Sequence, residues 1–295
     1  RRDVHERLPG ETLLEKRIDR LLDRARLPIR AATLLLFCFC VWLVYGAGPQ
    51  LLARAEAAGH PVLAWLIPLA LGCLVHGQFA FVVHEATHNN VLGKRFDRWL
   101  GNAAIGLLLL PFLSESYQEL HLLHHRIPNR AGDTNWTPYR HALWKRSRLL
   151  YALYELVPVV NNLDRIRDKV QRDRRKVALS WACAIAVYLL FRPTLPYWLA
   201  VVVGLNTTNA CRLWVEHFGH YRGRVSNAYW CPLGFGIGNH EVHHTWPRIS
   251  ALALLIGLWF REKDGSVFTS PFRLLFARDW AHFRTAQPDF DGTNV

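Results

Sequence analysis

Three histidine clusters carry the chemistry that this chain could perform. They read His84-Glu85-Ala86-Thr87-His88, His121-Leu122-Leu123-His124-His125 and His240-Glu241-Val242-His243-His244. On a helix, residues three and four apart point the same way, so each cluster aims its imidazoles at one spot. Neutral imidazole is the commonest protein ligand for transition metals. Eight rings exceed what one metal accepts, which points to a two-metal site. Taken alone, His84 to His88 and His240 to His244 also spell H-E-x-x-H, the zinc-protease pattern of two ligands and a glutamate base. A zinc protease needs one such motif, one further ligand and an open position for water. It has no use for His124, His125 and a second complete cluster.

The elements that must position these rings are apolar helices. The chain has 295 residues, is 51% hydrophobic and carries a formal net charge of +13. Its apolar residues gather in long runs with Arg and Lys between them, the pattern of a polytopic membrane protein. Spans are expected at Ala31 to Ala47, Val62 to Val83, Val177 to Phe191 and Leu195 to Val215, the last two joined in a tight hairpin by Arg192-Pro193-Thr194. The shorter runs Ala103 to Leu113 and Ala251 to Phe260 read as re-entrant or interfacial segments, being too short to cross about 30 Å of hydrocarbon. The expected fold is therefore all-α and polytopic, with about four transmembrane helices and a cytoplasmic histidine-rich cap. It forms a single membrane domain over 1–295, with a basic N-terminal segment at 1–30 and a tail at 261–295.

Charge sets the orientation. Arg and Lys crowd the stretch from Arg126 to Lys176, whereas the outer loops hold little beyond Arg54 and Arg192. By the positive-inside rule both termini, the central loop and all three clusters face the cytoplasm. The basic residues flank apolar runs, so topology and anionic headgroups account for them and no nucleic-acid partner is expected. The six cysteines form no CxxC pair and read as small buried hydrophobes. His76, two turns before His84, is expected to hydrogen-bond a neighbouring helix. His5, His60, His141 and His282 read as surface residues.

The ordered pattern H-x-x-x-H, H-x-x-H-H, H-x-x-H-H on such a scaffold resembles the membrane fatty acid desaturase and hydroxylase superfamily. The resemblance runs from the first span to about Arg248. It includes Asn102, Gly106 and Pro111 before the second box, Asp133 after it, and His243-His244-Thr245-Trp246-Pro247 in the third. It implies a non-haem di-iron centre of two iron ions, with dioxygen as co-substrate. His84, His88, His121, His124, His125, His240, His243 and His244 are the implied ligands. The stretch Glu216-His217-Phe218-Gly219 is similar to an element that adds one more ligand, His217, with His220 as its competitor. Glu85, Asp133, Glu216 and Glu241 are implied to accept an N–H from a ligand imidazole and fix its tautomer, against an equally weighted solvent-facing or salt-bridged role.

The implied activity is oxidation of a lipid C–H bond, with fatty acyl desaturation as the default. Hydroxylation, ketolation or oxidative decarboxylation of an acyl, alkane or carotenoid substrate by the same centre is the alternative. The lipid would enter from the bilayer. No cytochrome b5-type haem motif is seen, so electrons are expected from a separate ferredoxin, rubredoxin or cytochrome, steered by the basic loops.

Overall fold

The computed structural model describes residues 26–128, 133, 142–143, 146–156, 172–217, 240–245 and 247. The expected apolar segment Ala251 to Phe260, the tail at 261–295 and most of the N-terminal segment lie outside these residues. Every regular element among the described residues is helical.

Helix α1 (Arg26–Trp42) does not stop at Ala47, where the first span was expected to end. It passes through a π-helical turn, Leu43–Ala47, straight into α2 (Gly48–Ala57). Gly48-Pro49 reads as a break in sequence, yet Gly48 keeps helical dihedrals and Pro49 sits in the first turn of α2, where its missing N–H costs little. The wide turn is braced from outside: the Tyr197 hydroxyl donates to the Val44 carbonyl. A ring inserted this way keeps a widened turn from orphaning its backbone. The continuous stretch Arg30–Ala57 is 28 residues long, about 42 Å at 1.5 Å per residue.

A second long helix, Pro61–Thr87, is also apolar enough to cross a membrane. It comprises α3 (Pro61–Ala64), α4 (Leu66–Gln78), a second π-helical turn at Phe79–His84, and α5 (Glu85–Thr87). The first box thus ends a membrane-length helix. Helix α6 (Asp97–Leu107) begins before the expected Ala103, because the buried Asp97 carboxylate accepts the Val91 N–H at 3.0 Å and organises the preceding loop. A 3-10 turn at Pro111–Leu113 leads to α7 (Ser116–Arg126), which carries the second box.

Helix α8 (Arg148–Leu156) buries Tyr151. Helix α9 (Arg174–Phe191) starts on Asp173, whose carboxylate accepts the Arg175 N–H at 3.0 Å, and ends where Arg192 turns left-handed at φ 48. Helix α10 (Leu195–His217) follows at once, and α11 (His240–Thr245) carries the third box. The short connection at 192–194 is as expected, but α9 and α10 are not each other's main packing partners. Helix α10 packs on α4, and α9 packs on α6.

Glycine permits both close approaches. A Cβ on Gly72 would collide with the Val201 carbonyl, and one on Gly106 with the Ser180 carbonyl. These contacts draw the helices around a core that includes Phe37, Tyr45, Val83, Ile105, Tyr197 and Val201. The outer faces remain apolar. Leu35, Phe39 and Trp42 on α1, and Trp181, Ile185, Tyr188 and Leu190 on α9, are exposed.

Candidate metal centre

The structure brings all eight box histidines together, as two adjoining groups. His84, His88, His121, His125 and His243 form one, and His124, His240 and His244 the other. Within each group the ligand-capable atoms lie within 4.8 Å of one another. The groups abut where the His125 and His244 rings stack, with centroids 4.1 Å apart. The second box divides between them: His121 and His125 belong to the first group, His124 to the second. Of His217 only the helical backbone is described, and His220 and the side chain of Glu241 lie outside the described residues.

The rings converge through Nε2. His121 Nε2 stands 3.0 Å from both His88 Nε2 and His125 Nε2, and His243 Nε2 is 3.0 Å from His125 Nε2. In the second group His244 Nε2 is 3.0 Å from His240 Nε2 and 3.2 Å from His124 Nε2. Metal–imidazole bonds of about 2.1 Å put two nitrogens about 3.0 Å apart at a right angle and about 3.4 Å apart at the tetrahedral angle. The observed spacing is that of nitrogens close enough to share one cation. A buried orphan points the same way. His84 Nε2 has no protein partner among the described residues, while its Nδ1 lies 3.3 Å from Glu85 Oε1.

Three of the four acidic residues singled out in the sequence meet these rings. Glu85 faces His84, Asp133 Oδ1 lies 2.8 Å from His124 Nδ1, and Glu216 Oε2 lies 3.5 Å from His240 Nδ1. Each leaves Nε2 to face the group. The sequence reading missed the residues that hold the acids. Arg212 clamps Glu216 with two bonds, Nε to Oε1 at 2.9 Å and Nη2 to Oε2 at 2.7 Å. The i, i+4 spacing of an arginine and a glutamate was the available signal. Asn90 donates to Glu85 Oε2 and to the Pro247 carbonyl, both at 3.1 Å, joining the first box to the third. Tyr117 stacks on His121, rings 5.4 Å apart and nearly parallel. His76 bonds Asn209 of α10, as expected of a histidine bridging helices.

Burial favours the neutral form of His88, His121 and His243. It lowers His88 to about 4, and it pushes His121 and His243 well below the ordinary histidine value, with neighbouring rings adding to the effect. Neutral imidazoles packed mostly edge to face with their Nε2 atoms converging offer lone pairs to a common space, an arrangement that favours a cation.

A helical scaffold with two membrane-length helices, gathering histidines at its end, defines a membrane protein of the histidine-box type. Residues 59–255 match the family model described as fatty acid desaturase, and the chain belongs to that family. It is similar to proteins named sphingolipid delta(4)-desaturase DES1. The Bos taurus protein is 26% identical over 65% of this chain and 64% of its own length. The Homo sapiens protein is 26% identical over 64% of each, and the Gallus gallus protein 27% over 62% and 60%. The matched region thus spans less than two thirds of these relatives. No solved structure matches the chain.

Proposed function

We propose that the protein is a membrane di-iron oxidoreductase that uses dioxygen and electrons from a separate donor to oxidise a C–H bond of a lipid, with acyl desaturation as the outcome. The observation that carries this reading is the convergence of eight imidazoles in two adjoining groups at 3.0 to 3.2 Å between facing nitrogens. Two groups, of five and three imidazoles, exceed the single site of three ligands and one open position that a zinc hydrolase needs. Bound iron would supply the oxidising power that an unactivated C–H bond requires and that redox-inert zinc lacks.

The chain's own residues do the rest. The eight box histidines hold the metals, and His217, ending α10, adds a ninth ligand. Glu85 and Asp133 accept the Nδ1–H of their partner rings and keep Nε2 free for metal, Glu216 faces His240 Nδ1 at ion-pair distance, and Glu241 takes the same role. His84, His88, His124 and His243 are almost fully enclosed, which keeps bulk water from the reacting carbon.

The two membrane-length helices, the apolar outer face of α9 and the length of α10 support four spans within one domain. Orientation follows the charge map, with the histidine cap and both termini cytoplasmic. The basic stretch before α9 would receive the electron donor, a ferredoxin, rubredoxin or cytochrome. The relatives' name puts sphingolipids first among the lipids to assay.

The test is the purified protein with its reduced donor, dioxygen and candidate lipids, read by product mass and metal content. Loss of two hydrogens and about two irons per chain, the stoichiometry implied by two ligand groups, is expected. One zinc per chain and no oxidised lipid would overturn the proposal. Gain of one oxygen would shift the outcome to hydroxylation by the same centre.

A further inference from the structure

The helix that carries His121, His124 and His125 begins on a strained turn. Glu115 has φ 60 and ψ −45, and the Ser116 N–H donates back to the Ser114 carbonyl at 2.7 Å. This is the rare hand of the three-residue γ-turn, unfavourable for a side chain of this size by about 1–3 kcal/mol. Ordinary caps were at hand. Ser114 and Ser116 flank the position, yet no side chain caps α7, and their hydroxyls bond backwards to the Pro111 and Leu113 carbonyls. A conventional serine cap would have satisfied the helix end without strain.

What the strained turn achieves is to bury a carboxylate. Glu115 is 1% exposed and Asn102, on α6, is 0% exposed. The two grip each other at both ends: the Glu115 N–H donates to Asn102 Oδ1 and Asn102 Nδ2 donates to Glu115 Oε1, each at 2.8 Å. Arg98, also on α6, reaches both carboxylate oxygens at 3.4 Å. The Asp173 N–H, just before α9, donates to Oε2 at 3.3 Å. One carboxylate thus ties the start of α7 to α6 and to the start of α9.

Helix α7 supplies rings to both histidine groups, so its rotation governs both. Ring nitrogens lie about 6 Å from the helix axis, and a 10° rotation would carry them about 1 Å. A displacement of that size at a reacting centre costs on the order of a hundredfold in rate.

We propose that Glu115 is a positioning residue: clamped by Asn102 and Arg98, it sets the rotation of α7 and so the spacing of the two histidine groups. It touches neither group itself. The inference rests on the two-metal reading above.

The experiment loads the full chain, purified in detergent, with ferrous iron under anaerobic conditions. Wild type and Glu115→Gln are compared by iron content, iron affinity, the Mössbauer spectrum and the thermal unfolding midpoint. The variant keeps the shape of the side chain but loses its charge. Its folding midpoint is expected to stay within a few degrees of wild type. Its iron affinity is expected to fall about tenfold in both groups, as when a partner of a ligand is lost, with an altered spectrum. Should Glu115→Gln fail to fold, Arg98→Gln removes the half-exposed cation that Glu115 shares with Glu119, and Glu119→Gln, which leaves the Glu115 pair in place, is its control with the same readouts. A folded variant with unchanged affinity and spectrum beside a two-iron wild type overturns the positioning role alone. A wild type that binds fewer than two irons overturns the two-metal reading, and the positioning role with it.

Discussion

Replacing Asp133 by asparagine is expected to weaken one metal site and spare the other. The Asp133 carboxylate lies 2.8 Å from His124 Nδ1, and neither side chain has measurable exposure. His124 belongs to the group with His240 and His244, not to the five-histidine group. Asparagine can still accept the ring N–H through Oδ1, so geometry survives while the charge is lost. A hydrogen bond to a charged group contributes about 1.5–3 kcal/mol and a neutral one about 0.5–1.5. The difference, about 1–1.5 kcal/mol, is about tenfold in affinity at that group. Leucine at the same place removes the acceptor from a site without solvent, and the loss grows to about a hundredfold. The assay is competition with a graded series of chelators, read as iron retained per chain. Two release steps are expected, one shifted tenfold in Asp133→Asn and the other superimposed on wild type. Equal shifts of both steps, or none, would refute the idea that Asp133 serves a single group.

Three further outcomes follow from the same geometry. Removing His88 or His243 should abolish lipid oxidation while leaving the three-histidine group able to retain about one metal per chain, as metal analysis beside product mass would reveal. Metal-free protein should lose stability as pH falls from about 6.5, the free histidine value, toward about 4, where buried His88 titrates. The unfolded chain binds more protons in that window, so the thermal midpoint drops with acid, and a flat profile would contradict the buried neutral rings. Gly106→Ala would press a methyl onto the Ser180 carbonyl and force α6 from α9. A loss of about 1–3 kcal/mol is expected, visible as a lower midpoint, and an unchanged midpoint would mean the helices are less tightly opposed.

The boxes were legible because their information is local. Three- and four-residue spacing is enough to set His121, His124 and His125 on one side of one helix, though not to send them to the one spot expected, since the second and third boxes each divide between the two groups. Glu85 adjoins the ring it supports. The division into groups of five and three was not legible. It depends on how α7 crosses between the end of the second long helix and α11, and no spacing within a box encodes that crossing. The same holds for the first long helix. Gly48-Pro49 signals a break, yet Pro49 falls in the first turn of α2 and the Tyr197 hydroxyl, contributed from far along the chain, donates to the Val44 carbonyl in the wide turn. The Glu115 turn was hidden for a similar reason, since its meaning lies in Asn102, Arg98 and Asp173 rather than in its neighbours.

The π-helical turn at Phe79–His84 has a consequence for how this centre tolerates insertions and deletions. Such a turn holds one residue more than the α-helical turn it replaces. Losing one residue between Phe79 and Val83 would let α4 run into α5 as regular helix, and because the wide turn already absorbs that extra residue, His84 and His88 would keep nearly the same facing toward the other six rings. Losing a residue from the regular part of α4 instead would turn everything after it by about 100°, the angle one residue subtends in an α-helix. His84 and His88 would then look away from the other six rings. A span that still inserts would end in a centre with two rings missing, so length within α4 is constrained by the histidine groups rather than by the bilayer, and the wide turn is where a change of length is absorbed.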